Sequence, residues 1–203
     1  MAETLPPLLG DGNGRYRVHI VGNSGSSQST LGQKLAEILC VPYISLDRLF
    51  WGPGWVENGG GELRRRLNAA LDDAEQKAGG WIVDGNYTRH LENLLERRQT
   101  DTIWLDPPLV LYFPRLVWRT VLRIMRLAPD CSEGCRESFV NAFLTRGGIV
   151  YLCLGNHAVA RRKNQDLMLT NSLQAGGNMR RMGGWGGELS EWIKEVEELV
   201  RGR

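Results

Sequence analysis

The feature that most constrains this chain is a change of period around residue 22. Tyr16-Arg17-Val18-His19-Ile20-Val21 reads as a short strand, and Gly22 to Ser29 as a glycine- and serine-rich turn. Leu31, Leu35 and Leu39, with Ile38 beside them, have helical spacing. The same grammar recurs downstream. Pro42 to Leu46 predicts a strand running into Asp47, and Leu63, Leu67, Leu71 and Ala74 predict a helix closed by Gly79-Gly80. Trp81 to Val83 predicts a strand ending in Asp84, and Thr102 to Leu105 one ending in Asp106. A helix with Leu116, Val117, Val121, Ile124 and Met125 follows. Asp166 to Leu169 reads as the last strand, residues 171–187 as a loop, and Leu189, Trp192, Ile193, Val196 and Leu199 as a closing amphipathic helix. Strands alternating with helices specify an α/β, doubly wound, five-stranded, mostly parallel sheet with helices on both faces. Such sheets bind ligands beyond the carboxyl ends of their strands, where Asp47, Asp84 and Asp106 all fall.

The 203 residues suit one domain with a full core, and 42% hydrophobic with 24% charged residues is globular composition. Residues 1–14 read as a flexible tail, 15–203 as one domain, and 128–164, which fit the pattern least, as a lid-like helical insert. A net charge of +2 argues against a nucleic-acid-binding surface. Four cysteines do not make a disulfide scaffold, no signal peptide is visible, and no apolar run reaches membrane-spanning length. The expectation is a cytoplasmic protein that does not engage a membrane. Arginine outnumbers lysine 21 to 4. That bias fits either a GC-rich genome or a preference for the planar fork that binds phosphate.

Gly22-Asn23-Ser24-Gly25-Ser26-Ser27-Gln28-Ser29-Thr30 has the frame of a phosphate-binding loop, G-x-x-x-x-G-K-[ST]. The first glycine, the spacer and the final serine fit, but the second glycine is Ser27 and the lysine is Gln28. Backbone N–H groups and the helix N-terminus still favour an anion, and the Ser29 hydroxyl is still a candidate Mg²⁺ ligand. A hydrogen bond to a charged group nets about 1.5–3 kcal/mol, against about 0.5–1.5 for a neutral one such as Gln28 offers. If Ser27 needs positive φ, its side chain costs about 1–2 kcal/mol. A Gly/Ser turn without a ligand is the plain alternative.

Several words of the sequence together resemble the P-loop kinase-like proteins related to adenylate kinase, especially the bacterial topology modulation protein group and its fungal relatives. They are Val21 to Ser26 with Ser29-Thr30-Leu31, Leu46 to Trp51 with Pro53-Gly54-Trp55, Trp81 to Tyr87, Asp101 to Asp106, and Glu133 to Glu137. The likeness covers roughly residues 16–145 and departs at Ser27 and Gln28. It implies a parallel core with a lid, and ATP phosphates at Gly22–Thr30. It also implies Mg²⁺ near Asp84 and an acceptor facing Asp47. Asn86 and Tyr87 belong to the same words and join the candidate substrate residues.

The remaining constellations each allow two readings. Asp47 and Asp84 either serve Mg²⁺ and a hydroxyl acceptor or merely cap strand ends. Arg115, Arg119, Arg123 and Arg126 form one helical stripe, and residues 107–163 carry nine basic against three acidic side chains. Arg115 and Arg119 equally suit a solvated face, whereas Arg123, Arg126 and Arg136 point to phosphate contact and are the candidate catalytic arginines. Cys131, Cys135, Cys153 and His157 have spacings that a Cys₃His zinc site accepts, or the second pair is an apolar helix face. Trp51 and Trp55 either stack on substrate or anchor a loop, and His19 reads as structural.

Three functions follow. The first is phosphoryl transfer from a nucleoside triphosphate to a small anionic acceptor, with lid arginines replacing the lysine. The second reuses the fold for nucleotide-independent cyclisation or isomerisation. The third is a non-catalytic nucleotide-binding pseudokinase.

Overall fold

The computed structural model describes residues 6–145 and 147–202. Among the described residues the strands and α-helices are, in order, β1 (Arg17–Gly22), α1 (Gln28–Leu39), β2 (Tyr43–Ser45), α2 (Leu46–Phe50), β3 (Trp51–Gly52), β4 (Val56–Glu57), α3 (Gly60–Ala78), β5 (Trp81–Asp84), α4 (Thr88–Leu91), β6 (Asp101–Leu105), α5 (Leu109–Ile124), α6 (Ile149–Asn171), β7 (Met179–Met182) and α7 (Gly187–Arg201). A π-helical turn covers Val140–Leu144. The main sheet has the order β2-β5-β1-β6-β7 and every pairing in it is parallel. β3 and β4 form a separate antiparallel hairpin.

Strand alternation sends side chains to two cores. On one face Val18, Ile20, Ile82 and Ile103 meet Leu31 and Leu35 of α1 and Trp192, Ile193 and Val196 of α7. On the other, Trp81 and Val83 meet Leu63, Leu67 and Leu71 of α3. These leucines recur every four residues, so one stripe of α3 is fully covered. The helix stops at Gly79, whose φ of 72° suits a left-handed cap.

The C-terminal third corrects the sequence reading. Residues 166–169 are not a strand but the last turns of α6. A short apolar run has no period of its own, and no glycine or proline between 156 and 171 interrupts the helix. The fifth strand is β7, inside the segment expected to be a loop. Only Met179 and Met182 of it are buried, and Arg180 and Arg181 give it the charged look of an edge strand. Among the described residues, the expected insert 128–164 contains the π-helical turn Val140–Leu144 and the first part of α6.

The expected tail is also corrected for residues 6–14, residues 1–5 lying outside the described ones. Leu8 is 2% exposed within the first core. The buried carboxylate of Asp101 accepts from Leu9 N at 2.7 Å and Gly10 N at 3.0 Å. Trp192 Nε1 donates to Pro7 O at 2.8 Å. A carboxylate at the start of a sequence word gave no hint of a partner so far away.

Candidate active site

β1 delivers the loop at the carboxyl edge of the central strand. Gly22 is required there, since a Cβ would meet Leu105 O at 2.8 Å and Ser26 Oγ at 2.6 Å. Ser27 does sit in the left-handed region, with φ 72° and ψ 26°. It caps α1, and Leu31 N donates to its carbonyl at 3.0 Å. Asn23 organises the loop: its Oδ1 accepts from Ser24 N at 2.9 Å, and its Nδ2 donates to Tyr112 Oη at 2.7 Å and Cys153 O at 3.0 Å. Gly25 adopts φ 88° against Leu116 of α5. Asn86 exchanges hydrogen bonds with the backbone of Gly22.

Gln28 turns inward. Its Nε2 donates to Gly22 O at 3.0 Å and Asn23 O at 3.1 Å, so both amide hydrogens serve the loop's own carbonyls. Its Oε1 and the Ser26 hydroxyl are buried without partners. Thr30, the last residue of the loop, is exposed on the first turn of α1.

At the foot of the loop Ser29 Oγ donates to Asp84 Oδ2 at 2.8 Å. Asp84 is 4% exposed and its Oδ1 has no partner. Burial pushes its pKa up, against the opposing hydrogen bond from Ser29. Tyr43 stands close by, and burial, reinforced by the Asp84 charge, raises its phenol to about 12. A hard-oxygen pair with one orphaned carboxylate oxygen is a donor set that fits Mg²⁺.

Asp47, on α2, has both oxygens occupied. Tyr87 Oη donates to Oδ1 at 2.6 Å and Cys131 Sγ approaches Oδ2 at 3.6 Å. Trp51 Nε1 in turn donates to Tyr87 Oη at 3.1 Å. Burial and the Asp47 charge raise the pKa of Tyr87 and bring the Cys131 thiol to about 12, so both remain protonated donors. The β3–β4 hairpin is clamped by the stretch after α5: Ser132 Oγ donates to Trp51 O at 2.8 Å, Cys135 Sγ lies 3.1 Å from Gly52 O, and Trp55 Nε1 donates to Arg136 O at 2.8 Å. Trp51 and Trp55 meet edge-on at 5.5 Å.

The arginines sort differently from expectation. Arg123 is committed to Glu137 at 3.0 Å in a pair that is 14% and 7% exposed, and its Nε donates to Pro129 O. The Arg126 and Arg136 side chains are exposed. Arg119 is instead half-buried, its Nε has no partner, and among the described residues it forms no ion pair. Burial lowers its pKa, and the charge of Arg123 adds to that. Its other electrostatic neighbours include Cys131 and Asp47. Arginines at helical spacing look alike in sequence, so which one faces inward is set by how α5 packs.

The four zinc candidates are not brought together. Cys131 contacts Asp47, Cys135 contacts Gly52 O, Cys153 Sγ lies 3.6 Å from Ser24 O, and His157 Nδ1 is bonded to Tyr112 Oη at 2.7 Å. Among the described residues, no group of three or more His, Cys, Asp or Glu could hold a metal ion.

α6 lies over the loop. Besides Cys153 and His157 it supplies Arg161, 3.2 Å from Asp106, and Lys163, whose Nζ donates to Thr88 Oγ1 at 2.6 Å. Asp106 also accepts from Arg181 at 2.6 Å, and that guanidinium lies 5.2 Å from the Trp104 ring centroid. The space left between Asn23, Ser26, Asp106, Tyr112, His157 and Asn164 is about 10 Å³, room for roughly one water. Arg161 and Arg181 escaped sequence reasoning because neither lies in a recognisable word.

No protein-family model matches the chain. Over 107 residues it is 35% identical to an adenylate kinase of Mycolicibacterium paratuberculosis, covering 42% of this chain and 58% of that one. The chain thus spans rather more than half the length of this curated relative. The crystal structure of TT1252 from Thermus thermophilus superposes with a TM-score of 0.52 at 16% identity, covering 93% of this chain and 97% of that one. A shikimate kinase from Acinetobacter baumannii, in complex with shikimate, gives a TM-score of 0.47 at 14% identity, with 93% and 94% covered. Over part of its length the chain is related in sequence to adenylate kinase, and it shares the fold of TT1252. No helix of the described residues is long and apolar enough to cross a membrane.

Proposed function

We propose that this chain is a phosphotransferase that moves the terminal phosphoryl group of a nucleoside triphosphate to the hydroxyl of a small, anionic acceptor. The observation that carries this reading is the Ser29–Asp84 pair with its orphaned Oδ1, set at the start of the helix that follows the loop. A buried carboxylate with a free oxygen costs free energy unless something occupies it. Ser29 and Asp84 would hold Mg²⁺, which supplies charge neutralisation on the phosphates when bound.

The backbone N–H groups of Ser24 to Ser29 line the loop that would take the phosphates, apart from those already bonded to Asn23. Asp47, held by Tyr87 and Cys131, keeps a second lone pair on each oxygen for the acceptor hydroxyl. That hydroxyl passes its proton to Asp47 as its oxygen bonds to phosphorus, and the nucleoside diphosphate leaves with the electrons of the broken P–O bond. Arg119 takes over the positive charge that Gln28 lacks. α6 lifts from the loop to admit nucleotide. The free state of all four cysteines agrees with a cytoplasmic setting.

Calorimetric titration with a non-hydrolysable ATP analogue, with and without Mg²⁺, tests the reading on wild type and on Asp84→Asn. Mg²⁺-dependent binding, weakened at least about tenfold by Asp84→Asn, is expected. No binding to wild type at millimolar nucleotide would sink it. A second reading has its own observation, the closure of the loop by Gln28 and Cys153. It predicts either turnover of a metabolite without nucleotide or nucleotide binding without turnover.

A further inference from the structure

We infer that the outer face of α5 is a docking surface for an anionic lipid bilayer, independently of the phosphotransfer reading. Thirteen of the sixteen exposed large hydrophobic residues among the described residues lie between 110 and 169. That concentration makes them one region of the chain rather than scattered surface positions. α5 shows the cause. Tyr112, Leu116 and Thr120 form its buried side. Val110, Trp118 and Met125 fall on the opposite side and are 66%, 64% and 61% exposed, with Leu127 at 68% just beyond the helix. A helix apolar on both sides is expected to be covered on both.

Charge selects the occupant. α5 contains no acidic residue, and its exposed side carries Arg115, followed after the helix by exposed Arg126. Of the nine basic and three acidic side chains of residues 107–163, Arg123 and Arg161 are paired within the chain, whereas Arg115, Arg126, Arg136 and Arg162 are exposed without an ion pair among the described residues. A second copy would bring the same excess of positive charge against itself. An anionic bilayer surface offers negative charge for the arginines and an interfacial depth suited to Trp118 and the aliphatic side chains.

Sedimentation of the purified full chain with phosphatidylcholine vesicles, with and without phosphatidylserine as a minor component, tests this. Binding to the phosphatidylserine vesicles is expected, reduced by salt and at least about fivefold weaker for Arg115→Glu. Trp118→Ser should weaken it as well, and because that residue is exposed the variant keeps the wild-type circular dichroism. No partition into either vesicle overturns the inference. So does a salt-insensitive association with neutral vesicles, or a concentration-dependent dimer that Trp118→Ser dissolves while vesicles are ignored. Capture of an acidic protein with no vesicle binding would assign the face to a protein partner instead.

Discussion

The two sides of the candidate site are built on different principles. The donor side rests on the two central strands. Gly22 ends β1, Asp84 ends β5, and their positions follow from sheet register, Ile20 standing opposite Asp84. The acceptor side has no such footing. Asp47 sits on a five-residue helix and is aimed by a relay of side chains, from Trp51 through Tyr87, with Cys131 reaching in from irregular chain. In the proposed reading, backbone geometry would therefore set where phosphate goes and side-chain identity what receives it. Substrate choice can drift on the second side without disturbing the fold.

The largest expected effect separates the two sides directly. Asp47→Asn should lower turnover by about 10²–10⁴-fold and leave nucleotide affinity by calorimetry unchanged. Equal loss of both would mean that the two sides are not separable, and unchanged turnover would show that Asp47 is not the proton acceptor. Tyr87→Phe removes one charge-assisted hydrogen bond, worth about 1.5–3 kcal/mol, from Asp47. Turnover should fall by at least about tenfold, again with nucleotide binding intact. A loss confined to nucleotide affinity would contradict the relay.

On the donor side the effects are smaller and appear in stability. Ser27→Gly relieves a left-handed serine at φ 72° and should stabilise the chain by about 1 kcal/mol, after the greater freedom of glycine in the unfolded state is counted. Thermal unfolding measures it, and destabilisation would show that the loop relaxes differently. The smallest effect belongs to His19, buried on β1 with Nε2 3.0 Å from Gly85 O. Burial lowers its pKa from 6.5, so at lower pH the unfolded chain binds a proton that the native chain does not. The stability linked to His19 is complete above pH 6.5 and declines as pH falls below it. Urea titrations of wild type and His19→Gln across that range should converge toward acid, and parallel curves would show that the imidazole is not the source.

The donor side was legible in the sequence because its logic is local. A strand, a turn and a helix in succession fix Gly22 and Ser29, and an aspartate after an apolar triplet fixes Asp84. Asp47 was legible for the same reason. What aims it was less so: Tyr87 belonged to a recognised word, but its bond to Asp47 and the thiol of Cys131 depend on how distant segments meet. Arg119 was hidden among four arginines of one helical stripe, since the rotation of α5 decides which one loses water. β7 was missed because an edge strand needs few apolar residues, and four residues with two arginines resemble a loop. The long run of α6 concealed its own end, because its buried residues are Cys153 and Asn164 and no apolar stripe marks the helix.

The seating of residues 6–10 has a consequence for how the chain is made. Their hydrogen-bond partners are Asp101, Arg180 and Trp192, up to 185 positions later in the chain. Asp101 is made 92 positions after Leu9, but Trp192 only 185 positions after Pro7. β6 likewise waits for β7, across the whole of α5 and α6. Residues 6–10 are thus among the last to find their places, and a nascent chain that has not reached residue 179 has one edge of its sheet and one patch of its core still open. Ribosome-bound intermediates stalled before residue 179 would expose Leu8 and the β6 edge to any chaperone that reads apolar strands.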